Sequence, residues 1–208
     1  MLQIRNFRKA YGRFTVLSID DLTINPGIFW IKGANGSGKS TLLKAAAGIL
    51  DFDGEILLRG KISLKKDPIE YRRRVNFAEA EPVFPEFLTG REMMDLFASA
   101  KRAPARQQDD LVDSMHMSAY VNEPLSTYSS GMLKKLSLAL AFLGTPDVIL
   151  LDEPLITMDT ASLQVLYRWI EEKHRDGNVS FFLSSHQPLE TVLTDTLIVE
   201  NQTVISNS

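Results

Sequence analysis

Gly33-Ala34-Asn35-Gly36-Ser37-Gly38-Lys39-Ser40-Thr41 stands between the apolar run Ile28-Phe29-Trp30-Ile31 and the helical pattern Leu42-Leu43-Lys44-Ala45-Ala46-Ala47. The stretch reads as a phosphate cradle. The Gly-x4-Gly-Lys-Ser spacing turns successive backbone N–H groups and a helix N-terminus toward one anion, and only glycine tolerates so close an approach. Lys39 is placed to reach the β- and γ-phosphates, and Ser40 offers a hydroxyl to Mg²⁺. Each charge-assisted hydrogen bond of this kind contributes about 1.5–3 kcal/mol, so several together bind a nucleotide. A bare glycine-rich turn accounts for neither the Lys-Ser pair nor the flanking strand and helix.

The 208 residues, 44% of them hydrophobic, fit one large domain or a core with an inserted lobe. A net charge of −3 gives no argument for a nucleic-acid or anionic-membrane surface. The short basic clusters Lys65-Lys66 and Arg72-Arg73-Arg74 read as solvated surface. Zero cysteines exclude disulfides, zinc–thiolate centres and thiol chemistry, which suits the cytosol. Met1 to Phe7 lacks the apolar core of a signal peptide. No apolar run approaches the roughly 18 residues that span a bilayer, so any membrane role is expected to come through a partner.

Leu2, Ile4 and Asn6 alternate, as do parts of Thr15-Val16-Leu17 and Leu22-Thr23-Ile24, with turn residues at Tyr11-Gly12 and Asn25-Pro26-Gly27. These predict short antiparallel strands ahead of a central strand from Ile28 to Lys32. The helix after the cradle runs to Gly48, and strands follow at Gly54–Leu58 and Val75–Ala78. The pattern then turns helical. Thr89-Gly90-Arg91-Glu92 is a capping box opening Met93-Met94-Asp95-Leu96-Phe97, and a second helix holds Leu111, Val112 and Met115. Residues from about 81 to 127 read as a helical lobe, about 81–143 when the next helix, from Ser130-Gly131 through Leu143, is counted. Met115-His116-Met117 reads as lobe packing rather than a soft-metal site. A buried strand at Val148–Leu151, a helix face of Leu163, Leu166, Trp169 and Ile170, a strand at Val179–Leu183 and a hairpin around Asn201-Gln202 complete the chain. Strands alternating with helices after a phosphate loop predict an α/β fold with a largely parallel core sheet.

Asp152-Glu153-Pro154 follows the buried strand directly, and the C-terminal ends of such strands are where α/β sheets present ligands. Asp152 is placed to hold Mg²⁺, directly or through water. Glu153 is placed to orient and deprotonate an attacking water.

The order of phosphate loop, helical lobe, a Tyr128-Ser129-Ser130-Gly131-Met132 motif opening a helix, the Asp152-Glu153-Pro154 strand end and a later strand-end His186 resembles the nucleotide-binding subunit of an ATP-binding cassette (ABC) transporter over essentially the whole chain. The family signature is Leu-Ser-Gly-Gly-Gln. Here Tyr, Ser and Met replace the Leu, first Gly and Gln, while Ser129 and Gly131 remain, a form that resembles the branch powering exporter-type permeases. A serine hydroxyl and N–H groups at a helix N-terminus can bind a γ-phosphate. The resemblance implies a P-loop ABC ATPase core with an antiparallel β subdomain and the inserted lobe, residues 1–208 forming one domain. It implies ATP and Mg²⁺ as ligands, with Glu153, His186 and Lys39 as catalytic groups. Residues 33–41, Ser129, Gly131 and Asp159 of the segment Thr157-Met158-Asp159 would contact nucleotide, Tyr11 would stack on adenine, and Ser40 and Asp152 would hold the metal. It further implies a membrane permease and a second nucleotide-binding subunit, identical or not, as partners. No nucleic-acid partner is expected. The chain would sit on the cytoplasmic face of the membrane through its permease.

One position departs from the family. A Gln expected ahead of the lobe is missing from Phe77-Ala78-Glu79-Ala80-Glu81-Pro82; it aligns with Ala80, or with Glu79 or Glu81 after a one-residue shift. The rival from another class is a soluble structural or assembly ATPase built on the same cassette and not involved in transport, as in chromosome-organising or cofactor-assembly complexes; the chromosome-organising type needs a long coiled coil between phosphate loop and signature, and no sustained heptads occur there. A translation-factor type needs two cassettes. A non-hydrolysing module is opposed by Lys39, Asp152, Glu153 and His186.

Overall fold

The computed structural model describes residues 1–185 and 194–207. Strands β1 (Leu2–Tyr11) and β2 (Phe14–Ile24) form an antiparallel hairpin with a bulge at Lys9/Ala10. The two short strands expected at Thr15–Leu17 and Leu22–Ile24 are one. Between them Leu17 and Ile19 turn inward while Ser18 and Asp20 face solvent, the period-2 alternation of a half-buried strand. After β3 (Ile28–Lys32) and α1 (Lys39–Ala46), β4 (Asp53–Leu58) and β5 (Ile62–Ser63) extend the hairpin into a four-stranded sheet ordered β2-β1-β4-β5.

Helix α2 (Pro68–Arg74) is not among the elements that the sequence predicts. Its apolar residues show no stripe, since Tyr71 is buried and Ile69 is exposed. The available signal is Asp67-Pro68, with proline at the first helical position, where its missing N–H costs nothing. The Arg72-Arg73-Arg74 cluster is the last turn of this helix. Arg73 and Arg74 pair with Glu70 at 2.9 and 2.6 Å, and Arg72 donates to the Gly48 carbonyl at 3.0 Å. The cluster is therefore bound into the fold rather than simply solvated.

The chain continues through β6 (Val75–Ala78), α3 (Gly90–Lys101), α4 (Gln107–Ser114), a 3-10 turn (Leu125–Thr127) and α5 (Ser130–Ala141). It ends with β7 (Val148–Asp152), α6 (Thr160–Gly177), β8 (Ser180–Ser184), β9 (Asp195–Glu200) and β10 (Thr203–Asn207). The second sheet is ordered β10-β9-β3-β8-β7-β6, parallel throughout except for the β10–β9 hairpin. Because successive residues face opposite sides, each inner strand feeds two cores. Val148, Leu150 and Phe182 pack with Leu42, Leu43 and Tyr71 toward α1 and the antiparallel sheet. Ile149, Leu151, Phe181 and Leu183 pack with Leu166, Trp169, Ile170 and the leucines of α5 on the other side. At about 1.5–3 kcal/mol per fully buried side chain, this double burial explains the unbroken apolar runs.

The capping box of α3 forms as expected: the Glu92 N–H donates to Thr89 Oγ1 at 3.1 Å, and the Thr89 N–H to Glu92 Oε2 at 2.7 Å. Met115 and Met117 are buried with Leu111, Val112 and Val121, while His116 between them is exposed, so the two methionines are lobe packing. Helix α5 contacts α3 as well as β6 and β7, and so belongs to both lobe and core. Its C-terminal carbonyls are met by Asn76, buried in β6, whose Nδ2 donates to Ala141 and Leu143 at 2.7 and 2.8 Å. Asn76→Leu strands both acceptors and is expected to lower unfolding free energy by about 1–3 kcal/mol, read as a lower urea midpoint at unchanged slope. An unchanged midpoint would mean that water or backbone shifts replace the amide. Among the described residues no helix is long and apolar enough to cross a membrane.

Candidate functional site

The phosphate loop leaves β3 at the C-terminal edge of the parallel sheet and enters α1 through Gly38, whose φ of +109° is a left-handed setting that favours glycine. A Cβ there would lie 3.0 and 3.1 Å from the side chains of Leu17 and Val16, and one at Gly33 would lie 2.5 Å from the Val199 carbonyl. The loop is thus held against both sheets. Lys39 is buried, its ammonium donating to the Gly33 and Ala34 carbonyls at 2.8 and 3.2 Å.

Opposite the loop, β7 delivers Asp152, which is 1% exposed. Its Oδ1 accepts from Ser40 Oγ at 3.1 Å and from Ser184 Oγ at 2.6 Å. A buried carboxylate beside two hydroxyls is a hard oxygen set suited to Mg²⁺, which binds through one or two carboxylates plus substrate phosphates rather than an all-protein cage. The residues present fit that ion. Glu153 lines a cavity of about 360 Å³ together with Val16, Asn35, Gly36, Gly38, Lys39, Ser40 and Thr41. Sequence spacing alone joins Lys39, Ser40, Asp152 and Glu153, and the structure brings them together.

Glu153 has a φ of +45°, a left-handed backbone that costs an L-residue about 1–2 kcal/mol. Its N–H donates to the Ser184 carbonyl and hydroxyl at 3.0 and 3.1 Å. The carbonyl of the same peptide, that of Asp152, accepts from Lys134 Nζ at 3.1 Å. Lys134 lies on α5, is 1% exposed, and donates at 3.0 Å to the carbonyls of both Glu79 and Ala80 as well. Burial pulls its pKa down to about 8. A hydrogen bond from an ionised donor is worth about 1.5–3 kcal/mol, enough to hold the strained turn. Neither Ser184 nor Lys134 stands out in the sequence. The signal for Ser184 is the register that sets it beside Asp152.

The signature residues gather elsewhere. Ser129 caps α5, accepting from the Met132 N–H at 3.3 Å. Gly131 lies so close to the 156–159 turn that a Cβ would sit 3.3 Å from the Thr157 carbonyl. Asp159 caps α6, accepting from the Ser162 N–H at 2.8 Å and pairing with Lys135 at 2.8 Å. The Lys135 ammonium and the Ser162 donors hold its carboxyl well below the usual carboxylate range. Ser129, Gly131 and Asp159 do not line the cavity that Glu153 shares with the phosphate loop. Tyr11 is 53% exposed at the β1–β2 turn, 4.9 Å from the Lys9 ammonium, and directly across from it stands Phe14, also exposed and not singled out from sequence. His186 lies outside the described residues. Glu79 forms an ion pair with Lys44.

A phosphate cradle on a parallel sheet, faced by a strand-end carboxylate pair and joined to a helical lobe, defines a P-loop nucleotide-binding cassette. Residues 17–156 match the family model described as ABC transporter, and the chain belongs to that family. It is 32% identical over 194 residues to the human phospholipid-transporting ATPase ABCA7 and 30% identical over 220 residues to the human ATP-binding cassette sub-family A member 13, covering 89% and 97% of this chain. The chain spans only 9% and 4% of those relatives' own lengths. It is 26% identical to an uncharacterized ABC transporter ATP-binding protein, YhcH, of Bacillus subtilis, over 89% of this chain and 62% of that protein. Among solved structures, an ATP-binding subunit of an ABC transporter superposes with a TM-score of 0.88 at 24% identity, covering 100% of this chain and 90% of the other. A dimeric ATP-binding cassette in a post-hydrolysis state with ADP and Pi superposes at 0.86 and 18% identity, over 100% and 99% of the two chains. The α/β cassette fold and the family implied by the sequence are both borne out.

Proposed function

We propose that this chain binds and hydrolyses Mg-ATP as the cassette of an ABC transporter, residues 1–208 acting as one domain with a helical lobe at about 81–143, and that it drives a separate exporter-type permease. The observation that carries this reading is the meeting of Lys39, Ser40 and Glu153 in one cavity, with the buried Asp152 carboxylate hydrogen-bonded to Ser40. In this reading the loop N–H groups and Lys39 position the phosphates, the Lys39 ammonium leaving the carbonyls of Gly33 and Ala34 for phosphate oxygens. Ser40 and Asp152 would hold magnesium, which supplies charge neutralisation at the phosphates. Glu153 orients water in line with the γ-phosphate and takes its proton. His186 would contact the γ-phosphate, and Tyr11 would stack on adenine.

Two partners fit the geometry. A groove of about 390 Å³ between α3, α5 and the end of α1 exposes Ile49 and Val83 beside Phe77, Phe84 and Phe97. So apolar an opening suits a permease segment, and docking there would place the chain on the cytoplasmic face of the membrane. The second partner is another cassette, because Ser129 and Gly131 lie outside their own chain's nucleotide cavity. A head-to-tail pair would enclose each ATP between residues 33–41 of one chain and 129–131 of the other. Nucleotide then favours the closed pair through its higher affinity for that state.

Slow-hydrolysing Glu153→Gln protein is expected to sediment as a monomer alone and as a dimer with Mg-ATP. A monomer under both conditions would remove the homodimer and leave only pairing with a different cassette.

A further inference from the structure

We infer that Lys134 is a positioning residue for ATP hydrolysis: its buried ammonium clamps the peptide between Asp152 and Glu153 and so aims the Glu153 carboxylate into the nucleotide cavity. The inference rests on the hydrolytic reading above. Rotation about the N–Cα bond of Glu153 is the angle φ, so the orientation of the preceding peptide plane decides where its side chain points. That plane is held at both ends. Its oxygen accepts from Lys134 Nζ at 3.1 Å, and its N–H donates to the carbonyl and hydroxyl of Ser184 at 3.0 and 3.1 Å. Between these two anchors Glu153 keeps a φ of +45°, a setting that a non-glycine residue leaves when its supports are removed.

The other two contacts of the ammonium explain why a lysine stands here. Its remaining hydrogens go to the Glu79 and Ala80 carbonyls, at 3.0 Å each, in the segment leaving β6. Since β6 and β7 are adjacent parallel strands, one three-donor group closes the gap between their exit segments from the side of α5. An ammonium supplies three donors from a single point, whereas a neutral amide supplies two from a plane. Ser184 has its own tie to the site, donating to Asp152 Oδ1 at 2.6 Å, so the clamp fixes the general base relative to the carboxylate that faces Ser40.

The test uses Lys134→Met and Lys134→Gln in the full chain, with nucleotide affinity, turnover and thermal midpoint measured for each. Lys134→Met is expected to lose on the order of 10- to 100-fold in kcat, the scale of misplacing a reacting group by about an ångström, with Mg-ATP affinity changed less than about threefold. Lys134→Gln, keeping a donor, is expected to recover part of that loss. The deciding measurement is a double-mutant cycle by single-turnover phosphate release. If Lys134 acts through Glu153, adding Lys134→Met to Glu153→Gln costs no further rate. An equal loss of kcat in both backgrounds overturns the inference, as does unchanged kcat in folded Lys134→Met. Failure of both single variants to fold, or parallel losses of affinity and kcat, assigns Lys134 a purely structural role and also overturns it. Should unmodified protein fail to hydrolyse ATP, the hydrolytic reading itself fails; should Glu153→Gln retain full turnover, the general base is another group and the inference about Lys134 falls with it, and both results are distinct from any outcome at Lys134.

Discussion

Glu153→Gln is expected to reduce ATP turnover by on the order of 10²–10⁴, the contribution of a positioned general base, while Mg-ATP affinity stays within a few-fold of the unmodified chain. The amide keeps the shape of the carboxylate and can still orient water, but it cannot accept the proton released as the water attacks. The contrast with Lys39 makes the result specific. Lys39 has its ammonium 2.8 Å from the Gly33 carbonyl, within the loop that would wrap the phosphates, so Lys39→Ala should weaken binding itself. Calorimetric titration with Mg-ATP, together with phosphate release at saturating nucleotide, separates the two effects. Full turnover in Glu153→Gln would move the general base to another group.

Chains carrying Lys39→Ala and chains carrying Ser129→Arg should each be inactive alone, yet regain about half the activity per dimer when mixed. Head-to-tail pairing puts both lesions into one composite site and leaves the other with an intact phosphate loop and an intact signature. The expectation follows from the placement of Ser129 at the cap of α5, outside the cavity lined by Lys39 and Glu153. Ser129→Arg introduces a bulky cation at a helix N-terminus, where the dipole already disfavours positive charge, and it would block the surface proposed to meet a γ-phosphate. Mixed dimers confirmed by mass that show no recovery would count against independent composite sites.

The parts of the site written in contiguous residues are legible in the amino-acid sequence. The phosphate loop, the capping box at Thr89 and the carboxylates after β7 each depend on local geometry that a few neighbouring residue types encode. Lys134, Ser184 and α2 are not legible there, for different reasons. Lys134 belongs to a Lys-Lys pair on a helix, the usual mark of a solvated face; only the approach of two strand ends converts one member into a buried three-fold donor while Lys135 pairs with Asp159. Ser184 gains its role from parallel register with Asp152 across β7 and β8, a long-range pairing. Helix α2 buries Tyr71 but no stripe, so no periodicity announces it. The missing family glutamine also takes a different form: near Ala80 the chain offers its backbone carbonyls to Lys134, while Glu79 turns to Lys44.

The strand that carries the phosphate loop is flanked on both sides by strands distant in sequence, β8 and β9. In β3, Ile28 pairs with Phe181 and Phe29 with Asp195, and the Gly27 N–H meets Ser180 Oγ across a separation of 153 positions. Closing a chain segment of that length costs about 2.4 kcal/mol more in entropy than closing a ten-residue loop. Folding order follows from this difference. The antiparallel strands up to β5 can pair early, whereas β3 must wait, with the backbone N–H and C=O groups of both edges unpaired, until residues beyond 180 are available. Such late, non-local pairing slows folding and leaves unpaired strand edges open to association. The strand that delivers the nucleotide cradle is thus expected to gain its shape after the antiparallel sheet, and amide protection of Phe29–Ile31 should lag behind that of Ile4 and Ile56 in pulse-labelled refolding.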